Sequence, residues 1–275
     1  MFDPLAADPP RDPHHPATTP ALTFDSEGVS LSGVLHVPGG PGPHPVVVLL
    51  HGFPGNERNF DLAQVLRRAG YASLVFHYRG SWGVGGSWSW GHVLEDTAAV
   101  VAGLRGFAGT YRLDLERLVL VGHSLGGFAA LMTAAADPSV VAVASAAAFD
   151  FGTVAALCRA DPSVRASWAE TFDGELGPLR GTSGEALAAE MEAAGDSWRL
   201  AGLAPALADR PVLLIGTGHD PVTPYRVHHE PVVAAYRAQP VKRLEHHLFP
   251  TDHALSDHRV TLARTVLDFL ARACP

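Results

Sequence analysis

An apolar run that leads into a Gly-x-Ser-x-Gly pentapeptide is the feature that most constrains the fold of this chain. Residues 118–121 read Leu-Val-Leu-Val, residues 122–126 read Gly-His-Ser-Leu-Gly, and small helix-forming residues follow. This order predicts a buried strand, a sharp turn and a helix. The two glycines lack the Cβ atoms that would obstruct such a turn. The turn exposes the hydroxyl of Ser124 at the positive end of the helix dipole.

Ser124 is therefore the predicted nucleophile of an acyl-transfer reaction, in which an oxyanion would form beside the helix N-terminus. The alternative is a glycine-rich turn that carries a passive serine. The strand, the turn and the helix occur in the order that a catalytic serine requires, and this order favours the first interpretation.

Length and composition favour one α/β domain. The chain has 275 residues, of which 47% are hydrophobic and 17% are charged, and its formal net charge is −8. The sequence has no basic patch, so no nucleic-acid partner is expected. The longest apolar stretches, such as residues 45–50 and 140–148, are too short to cross a bilayer, so no membrane segment is expected.

The N-terminus lacks the basic start and apolar core of a secretory signal, which predicts a cytoplasmic location. Cys158 and Cys274 show no redox-pair or metal-ligand spacing and are predicted to be reduced.

The pattern changes several times along the chain. Residues 1–20 are rich in Pro, Asp and His without apolar periodicity, which predicts a flexible arm. Residues 21–275 form one predicted domain, whose first extended segments, 21–24 and 29–37, predict an antiparallel pair at a sheet edge. Strands and helices then alternate, which predicts a mostly parallel, doubly wound sheet. The further predicted strands are 46–50, 73–76, 118–121, 140–146, 212–216 and 243–249, and the predicted helices are 60–69, 93–104, the helix after Ser124, and 257–271.

The alternation stops between residues 150 and 209, where helical stretches occur without a strand pattern. We expect this segment to be a helical cap insertion over the strand ends, because compact domains rarely keep long connections without a use. A connection lengthened by drift is the alternative. Thr182 and Glu185 form a capping-box pattern that predicts the start of a helix here, and Gly195 predicts its end.

The predicted nucleophile needs a histidine to accept its proton and a carboxylate to orient that histidine. Catalytic groups of an α/β sheet occupy loops at the carboxyl ends of strands. Asp220 follows the strand predicted at 212–216 and His253 follows the last predicted strand, so they are the predicted acid and base. Asp252 is a rival carboxylate, but it is adjacent to the base and poorly placed to reach its ring. A turn or helix-capping role is the alternative for Asp220, although Thr223 already offers an N-cap.

Two backbone N–H groups are expected to hold the oxyanion. One belongs to Leu125, directly after the nucleophile, and the other to the His-Gly-Phe-Pro-Gly loop at 51–55. Within that loop Phe53 is the predicted donor, because the proline after it has no N–H. His51 and His123 are neighbours of these motifs rather than bases.

Three tryptophans crowd the glycine-rich loop after the strand predicted at 73–76, namely Trp82, Trp88 and Trp90. A loop at this position should border the site, which predicts that they contact an apolar or aromatic substrate. The alternative is that they anchor the loop or the cap. Trp168 and Trp198, within the predicted cap, allow the same two interpretations.

Taken together and in this order, the motifs resemble the α/β-hydrolase superfamily from about Ala21 onward. The 51–55 loop resembles its oxyanion loop, the 122–126 pentapeptide its nucleophile elbow, Asp220 its acid and His253 its base. The Tyr-Arg-Gly sequence at 78–80 is also similar to a loop of the esterase and peptidase branches, in which the arginine is structural.

The resemblance implies a serine hydrolase rather than an enzyme with an aspartate or cysteine nucleophile. Its expected reaction is cleavage of carboxylic esters of a small or medium, apolar or aromatic substrate through an acyl-enzyme, with no metal and no organic cofactor. The expected partner is this small-molecule substrate, and the sequence does not determine an oligomeric state. A peptidase or amidase, whose acidic cap residues Asp173, Glu175 or Glu190 would hold a substrate amine, and a thioesterase remain open. A non-catalytic ligand-binding member is less favoured, because all three residue types of a triad are present.

Overall fold

One eight-stranded sheet runs through the part of the chain that the computed structural model describes, residues 2–239 and 241–274. The strands are numbered in chain order, and their spatial order is β1-β2-β4-β3-β5-β6-β7-β8. They are β1 (Ala21–Ser26), β2 (Val29–His36), β3 (His44–Leu50), β4 (Ala72–Phe76), β5 (Leu113–His123), β6 (Val140–Ala146), β7 (Pro211–Thr217) and β8 (Arg243–Phe249). From β4 to β8 neighbouring strands are parallel, whereas β1 and β2 are antiparallel to their neighbours at one edge. The predicted edge pair and mostly parallel sheet are both confirmed.

Helices cover both faces of this sheet. The α-helices are α1 (Phe60–Arg68), α2 (Trp90–Gly103), α3 (Ala108–Tyr111), α4 (Leu125–Ala136), α5 (Phe151–Ala160), α6 (Pro162–Gly174), α7 (Gly184–Ala194), α8 (Tyr225–His228), α9 (Glu230–Ala238) and α10 (Arg259–Ala273). Buried side chains of α1 and α10 share one hydrophobic cluster with the sheet, and those of α2, α4, α9 and the segment between β6 and β7 share the other. Central strands such as β4 are therefore buried on both faces, while β1 alternates between exposed and buried residues. The predicted doubly wound architecture is confirmed.

Between β6 and β7 the chain forms α5, α6 and α7, followed by two short 3₁₀ turns. Each helix begins at a side-chain cap, because Asp150, Asp161 and Ser183 accept hydrogen bonds from backbone N–H groups two or three residues later. The predicted N-cap of α7 at Thr182 is therefore wrong by one residue. Gly195 ends that helix with a φ of +53°, as its position predicts.

Backbone hydrogen bonds tie this helical segment to the loop after β4. The N–H of Arg180 donates to the carbonyl of Gly80 at 2.8 Å, and the N–H of Trp88 donates to the carbonyl of Arg180 at 2.8 Å. The N–H of Trp82 donates to the carbonyl of Pro178 at 3.0 Å. These bonds hold the segment against the loop that follows the carboxyl end of β4, and its role as a cap stays a prediction.

Other element boundaries differ from prediction for local reasons. Helix α2 begins at Trp90, three residues earlier than predicted, because the Ser89 side chain accepts a hydrogen bond from the backbone of His92. The helical region after β7 is interrupted between α8 and α9, and Pro231 is the second residue of α9. Thr223 does not cap α8; its hydroxyl donates to Asp220 instead.

Residues of the predicted arm contact the domain. Thr18 pairs with Val37 as an antiparallel bridge, and the carbonyl of Pro4 accepts a hydrogen bond of 2.6 Å from Arg68. The flexibility of the arm stays a prediction. Cys158 and Cys274 are both buried and free. Over the described ranges, none of the helices is long and apolar enough to cross a membrane.

Candidate active site

A strained turn between β5 and α4 carries Ser124. Its φ of +56° and ψ of −121° lie outside the regions that a residue with a side chain ordinarily occupies. Flanking glycines permit this turn, since a Cβ at Gly122 would lie 1.9 Å from the carbonyl oxygen of Gly126. A Cβ at Gly126 would lie 2.0 Å from the carbonyl oxygen of Leu50 on the neighbouring strand. The pentapeptide therefore forms the turn that its sequence predicts.

The Ser124 hydroxyl lines a cavity and makes no hydrogen bond with any residue that the structure describes. Leu125 is the first residue of α4, so its N–H has no partner within the helix. Phe53 lines the same cavity, and among the described residues its N–H donates to no other group. Two unused backbone donors thus border the cavity beside the serine.

Asp220 lies in the loop after β7 and accepts hydrogen bonds from both its own loop and the next. The hydroxyls of Thr217 and Thr223 donate to its Oδ2 at 2.7 and 2.6 Å, and the N–H groups of Val222 and Thr223 donate to its Oδ1 at 2.8 and 2.9 Å. Burial alone would raise the pKa of Asp220. Two effects outweigh burial and hold that pKa well below its ordinary value. His253 contributes a hydrogen bond and its charge, and Thr223 contributes further hydrogen bonds.

His253 lies in the loop after β8, with its Nδ1 atom 2.7 Å from Oδ2 of Asp220. An ionised carboxylate only accepts, so the Nδ1–H donates and the Nε2 atom of a neutral ring is left to accept a proton. His253 and Ser124 line the same cavity. The rival carboxylate Asp252 is exposed and accepts a hydrogen bond from the N–H of Ser256 instead.

Both histidines within the motifs are buried and engaged. The ring of His51 donates from Nδ1 to the carbonyl of Gly52 at 2.8 Å, and burial lowers its pKa to about 3. His123 donates from Nε2 to the carbonyl of His253 at 2.7 Å, and burial followed by the nearby His253 ring lowers its pKa to about 4. The remaining nitrogen of each ring is buried without a partner among the described residues, and burial disfavours the protonated form that a general base must adopt.

The cavity beside Ser124 has a volume of about 310 Å³. Six aromatic side chains form most of its wall, and they are Phe53, Trp90, Phe149, Phe151, Trp168 and Phe172. Two carboxylates, Glu57 and Glu175, also line it, and no Lys or Arg does so among the described residues. The cavity therefore suits an apolar or aromatic group that carries no negative charge.

Trp90 is fixed in the cavity wall by α7. Its backbone N–H and that of Gly91 donate to the two oxygens of Glu190, at 2.9 and 2.7 Å, while its indole N–H donates to the carbonyl of Leu187 at 3.0 Å. The Trp90 ring centroid lies 5.0 Å from that of Phe53. Glu190 is thus occupied in capping α2 and is not free to bind a substrate amine.

The structure does not bring the other two predicted tryptophans to the cavity. The indole N–H of Trp82 donates to the carbonyl of Pro54 at 2.8 Å, and the guanidinium of Arg58 lies 4.2 Å from its ring centroid. Trp88 is buried against Tyr78, with ring centroids 5.8 Å apart. Both side chains anchor the loop, which is the alternative interpretation of their position. The side chain of Arg79 is also structural, since its Nε donates to buried Asp96 at 2.6 Å.

The helical segment supplies wall residues that the sequence patterns missed. Of its two tryptophans, Trp168 lines the cavity, whereas Trp198 packs against Phe128 and Phe151 and does not line it. Three further phenylalanines, Phe149, Phe151 and Phe172, were not singled out from the sequence. Phe149 and Phe151 closely follow the end of β6, and that position is a signal that could have found them. Nothing local in the sequence marks Phe172.

This arrangement has the parts that acyl transfer requires. It combines a hydroxyl on a strained turn, an imidazole oriented by an ionised carboxylate, and two unused N–H donors around one cavity. None of the described residues form a group of three or more His, Cys, Asp or Glu side chains that could hold a metal ion.

The doubly wound sheet and the serine turn at the end of β5 define the α/β-hydrolase class of proteins. The sequence agrees with this assignment, because the family model described as "Alpha/beta hydrolase family" matches residues 47–265 of the sequence. The chain belongs to the alpha/beta hydrolase family.

Sequence relatives match about half of this chain. A protein of Escherichia coli described as an uncharacterized 31.7 kDa protein in the traX-finO intergenic region is 32% identical over 151 residues, 54% of this chain and 52% of the relative. The quorum-quenching protein AidA of Acinetobacter baumannii is 34% identical over 137 residues, 48% of this chain and 44% of the relative. The chain spans about half the length of the curated relatives it matches.

Solved structures are similar over nearly the whole chain. Est1E from Butyrivibrio proteoclasticus with ferulic acid bound aligns at a TM-score of 0.70 and 19% identity, over 92% of this chain and 99% of that one. Acylaminoacyl peptidase of Pyrococcus horikoshii aligns at 0.68 and 17% identity, over 94% of this chain and 41% of that one. At these identities the likeness shows the fold alone.

Proposed function

We propose that this hydrolase cleaves carboxylic esters of small or medium, apolar or aromatic substrates through an acyl-enzyme on Ser124. The observation that carries the proposal is that Ser124 and His253 line one cavity while Nδ1 of His253 is bonded to Asp220. A serine, a histidine and a carboxylate in these roles form an acyl-transfer triad on any fold.

In the proposed reaction, Nε2 of His253 takes the proton of Ser124 as the serine oxygen attacks the ester carbonyl carbon. The N–H groups of Phe53 and Leu125 stabilise the oxyanion that forms. The bond to the alcohol oxygen then breaks as His253 returns the proton to the leaving alkoxide. Water attacks the resulting acyl-serine by the same steps in reverse, which releases the acid and restores Ser124. This scheme calls for no metal ion or organic cofactor.

The wall of the cavity supports the proposed substrate class. Six aromatic rings favour apolar and aromatic groups, and the carboxylates of Glu57 and Glu175 disfavour anionic ones. The cytoplasmic location stays a prediction from the sequence.

A fluorophosphonate probe tests the nucleophile directly, because it phosphonylates an activated serine. We expect the wild-type protein to be labelled at Ser124, as located by peptide mass spectrometry, and to hydrolyse p-nitrophenyl butyrate. Ser124→Ala should abolish labelling and lower kcat by a factor on the order of 10⁴ to 10⁶. An intact wild-type protein that is not labelled, or a Ser124→Ala variant that keeps its turnover, would contradict the proposal.

One observation favours a second candidate, a peptidase or amidase that holds a substrate amine. Glu175 is exposed at the cavity and has no ion-pair partner among the described residues, whereas Asp173 accepts a hydrogen bond from Gly184 and Glu190 caps α2. Selective cleavage of aminoacyl anilides over p-nitrophenyl esters, lost in Glu175→Gln but kept in Glu170→Gln, would favour this candidate. Glu170 is the matched control because it lies on α6, the helix that ends just before Glu175, and does not line the cavity. Comparison with acyl thioesters would test the thioesterase alternative in the same assay.

A further inference from the structure

The residue before the proposed nucleophile is hydrogen-bonded to the residue that carries the proposed base. Nε2 of His123 lies 2.7 Å from the carbonyl oxygen of His253, and the two ring centroids are 4.9 Å apart. A carbonyl only accepts, so the proton of His123 is on Nε2. The other ring nitrogen is buried and has no hydrogen-bond partner among the described residues. It faces Gly52, where an added Cβ would lie 3.5 Å from it.

Hydrogen bonds anchor the loop on either side of His253. The N–H of His219 donates to the carbonyl of Thr251 at 3.0 Å, and the N–H of Leu255, whose side chain is buried, donates to the carbonyl of Asp252 at 3.1 Å. Residues 250–258 form no helix or strand between β8 and α10. Among described residues, the His253 peptide carbonyl is held by His123, and the next carbonyl, of Ala254, accepts a hydrogen bond of 3.2 Å from Arg259. The bond from the His253 ring to Asp220 orients the ring, and two rotatable side-chain bonds separate that ring from the peptide that His123 holds.

We propose that His123 is a positioning residue that fixes the backbone of His253 relative to Ser124. This inference rests on the proposed serine hydrolase mechanism. His123 and Ser124 are consecutive, so the hydrogen bond links the peptide that carries the nucleophile to the peptide that carries the base. Without it the loop can shift, which changes the distance over which the proton of Ser124 must travel. A misplacement of about 1 Å can lower the rate by roughly 10²-fold.

Three substitutions separate this role from simple packing. Gln places its amide nitrogen three bonds from Cβ, as far as Nε2 of histidine, and can donate to the same carbonyl. Asn places its nitrogen one bond short, and Leu fills the space without a donor. We expect His123→Leu and His123→Asn to lower kcat by about 10- to 100-fold with KM within about 2-fold, and His123→Gln to stay within about 3-fold of wild type.

Hydrogen–deuterium exchange of residues 250–258 gives a second readout that does not depend on turnover. We expect faster exchange of this segment in His123→Leu and His123→Asn than in the wild type and His123→Gln. The Gln and Asn variants should have similar melting temperatures, and their comparison stands even if the Leu variant fails to fold.

Equal kcat in the Gln and Asn variants, a change confined to KM, or unchanged exchange of 250–258 would overturn the positioning role. A wild-type protein that the fluorophosphonate probe does not label would overturn the proposed function instead. The exchange comparison would still decide whether His123 holds the loop. The two failures are therefore distinguishable.

Discussion

Asp220 and His253 are 33 residues apart in the chain, yet Oδ2 of Asp220 lies 2.7 Å from Nδ1 of His253. Their loops follow β7 and β8, which are parallel neighbours in register from Pro211 to Thr217. Parallel neighbours bring their carboxyl ends to the same edge of the sheet, so the two loops must meet. The sheet topology, rather than any local sequence preference, joins the carboxylate to the imidazole.

Replacing Asp220 should therefore impair turnover far more than replacing the rival carboxylate, Asp252. In Asp220→Asn the amide can donate to Nδ1, which stabilises the wrong tautomer of His253, and we expect kcat to fall by about 10⁴-fold. Asp252→Asn is the matched control, because Asp252 is exposed and, within the described part of the chain, its side chain is hydrogen-bonded only to Ser256 of its own loop. Its kcat should change by less than about 2-fold. Steady-state kinetics with p-nitrophenyl butyrate measures both. A larger loss of kcat in the Asp252 variant would show that Asp220 is not the carboxylate that orients His253.

The two tryptophans of the helical segment should differ in their effect on substrate preference. Trp168 lines the cavity, so Trp168→Ala enlarges it and should raise kcat/KM for p-nitrophenyl octanoate relative to the acetate by about 5-fold or more. Trp198 packs against Phe128 and Phe151 away from the cavity, and Trp198→Ala should leave this ratio unchanged. The ratio of the two esters is the measurement, since it is independent of the amount of folded enzyme. Equal ratios in the two variants would show that Trp168 does not limit the length of the acyl chain that the cavity accepts.

A methyl group at Gly126 should be incompatible with the turn. Its carbon would lie 2.0 Å from the carbonyl oxygen of Leu50, which is backbone and cannot rotate away. We expect Gly126→Ala to lower the free energy of unfolding by more than about 3 kcal/mol or to prevent folding. Gly109→Ala is the control, because a Cβ there would meet nothing within 4 Å and alanine favours its helix. Urea denaturation compares the two, and similar midpoints would contradict the steric argument.

Stability should fall as the pH is lowered from about 6.5 to 4. Burial lowers the pKa of His228 to about 4, and burial with the nearby His253 ring lowers that of His123 to about 4. At a pH between these lowered pKa values and the ordinary histidine pKa of 6.5, the unfolded chain binds more protons than the folded protein. Lowering the pH through this range therefore favours unfolding by up to roughly 3 kcal/mol for each histidine. Asp220 acts in a different window, because a depressed carboxyl pKa contributes stability that is lost only below about pH 4.

Urea midpoints measured at pH 7 and pH 4.5 test this pH dependence. In the variant His228→Asn, the side-chain oxygen can still accept the hydrogen bond of 3.0 Å that the N–H of Asp150 donates to Nδ1 of His228. The variant has no titrating ring, so its midpoint should change less with pH than that of the wild type. An equal change would exclude His228 as a contributor.

Local signals in the sequence were enough to predict the parts of the site that depend on backbone geometry. The elbow at Ser124 follows from two glycines and an apolar run, because only residues without Cβ allow that turn. Asp220 and His253 could be predicted from their positions after strands, since parallel strands direct their carboxyl ends to one edge. Their catalytic roles remain proposals, whereas their proximity is a property of the fold.

The cavity wall could not be predicted in the same way. Trp82, Trp88 and Trp90 are close together in the sequence, yet of the three only Trp90, at the start of α2, lines the cavity, because hydrogen bonds from the helical segment set the path of the loop before it. Phe172 reaches the cavity only through the packing of α6, more than a hundred residues from the 51–55 loop that it faces.

The sequence by itself thus determined the α/β-hydrolase fold, the turn at Ser124 and the order of the residues proposed for catalysis. These features depend on local backbone sterics and on the regular alternation of strands and helices. The tertiary structure alone decided which side chains surround the hydroxyl and that His123 donates to the carbonyl of His253. Such contacts join residues that are distant in the chain, and their side-chain directions are set by packing that no short sequence window contains.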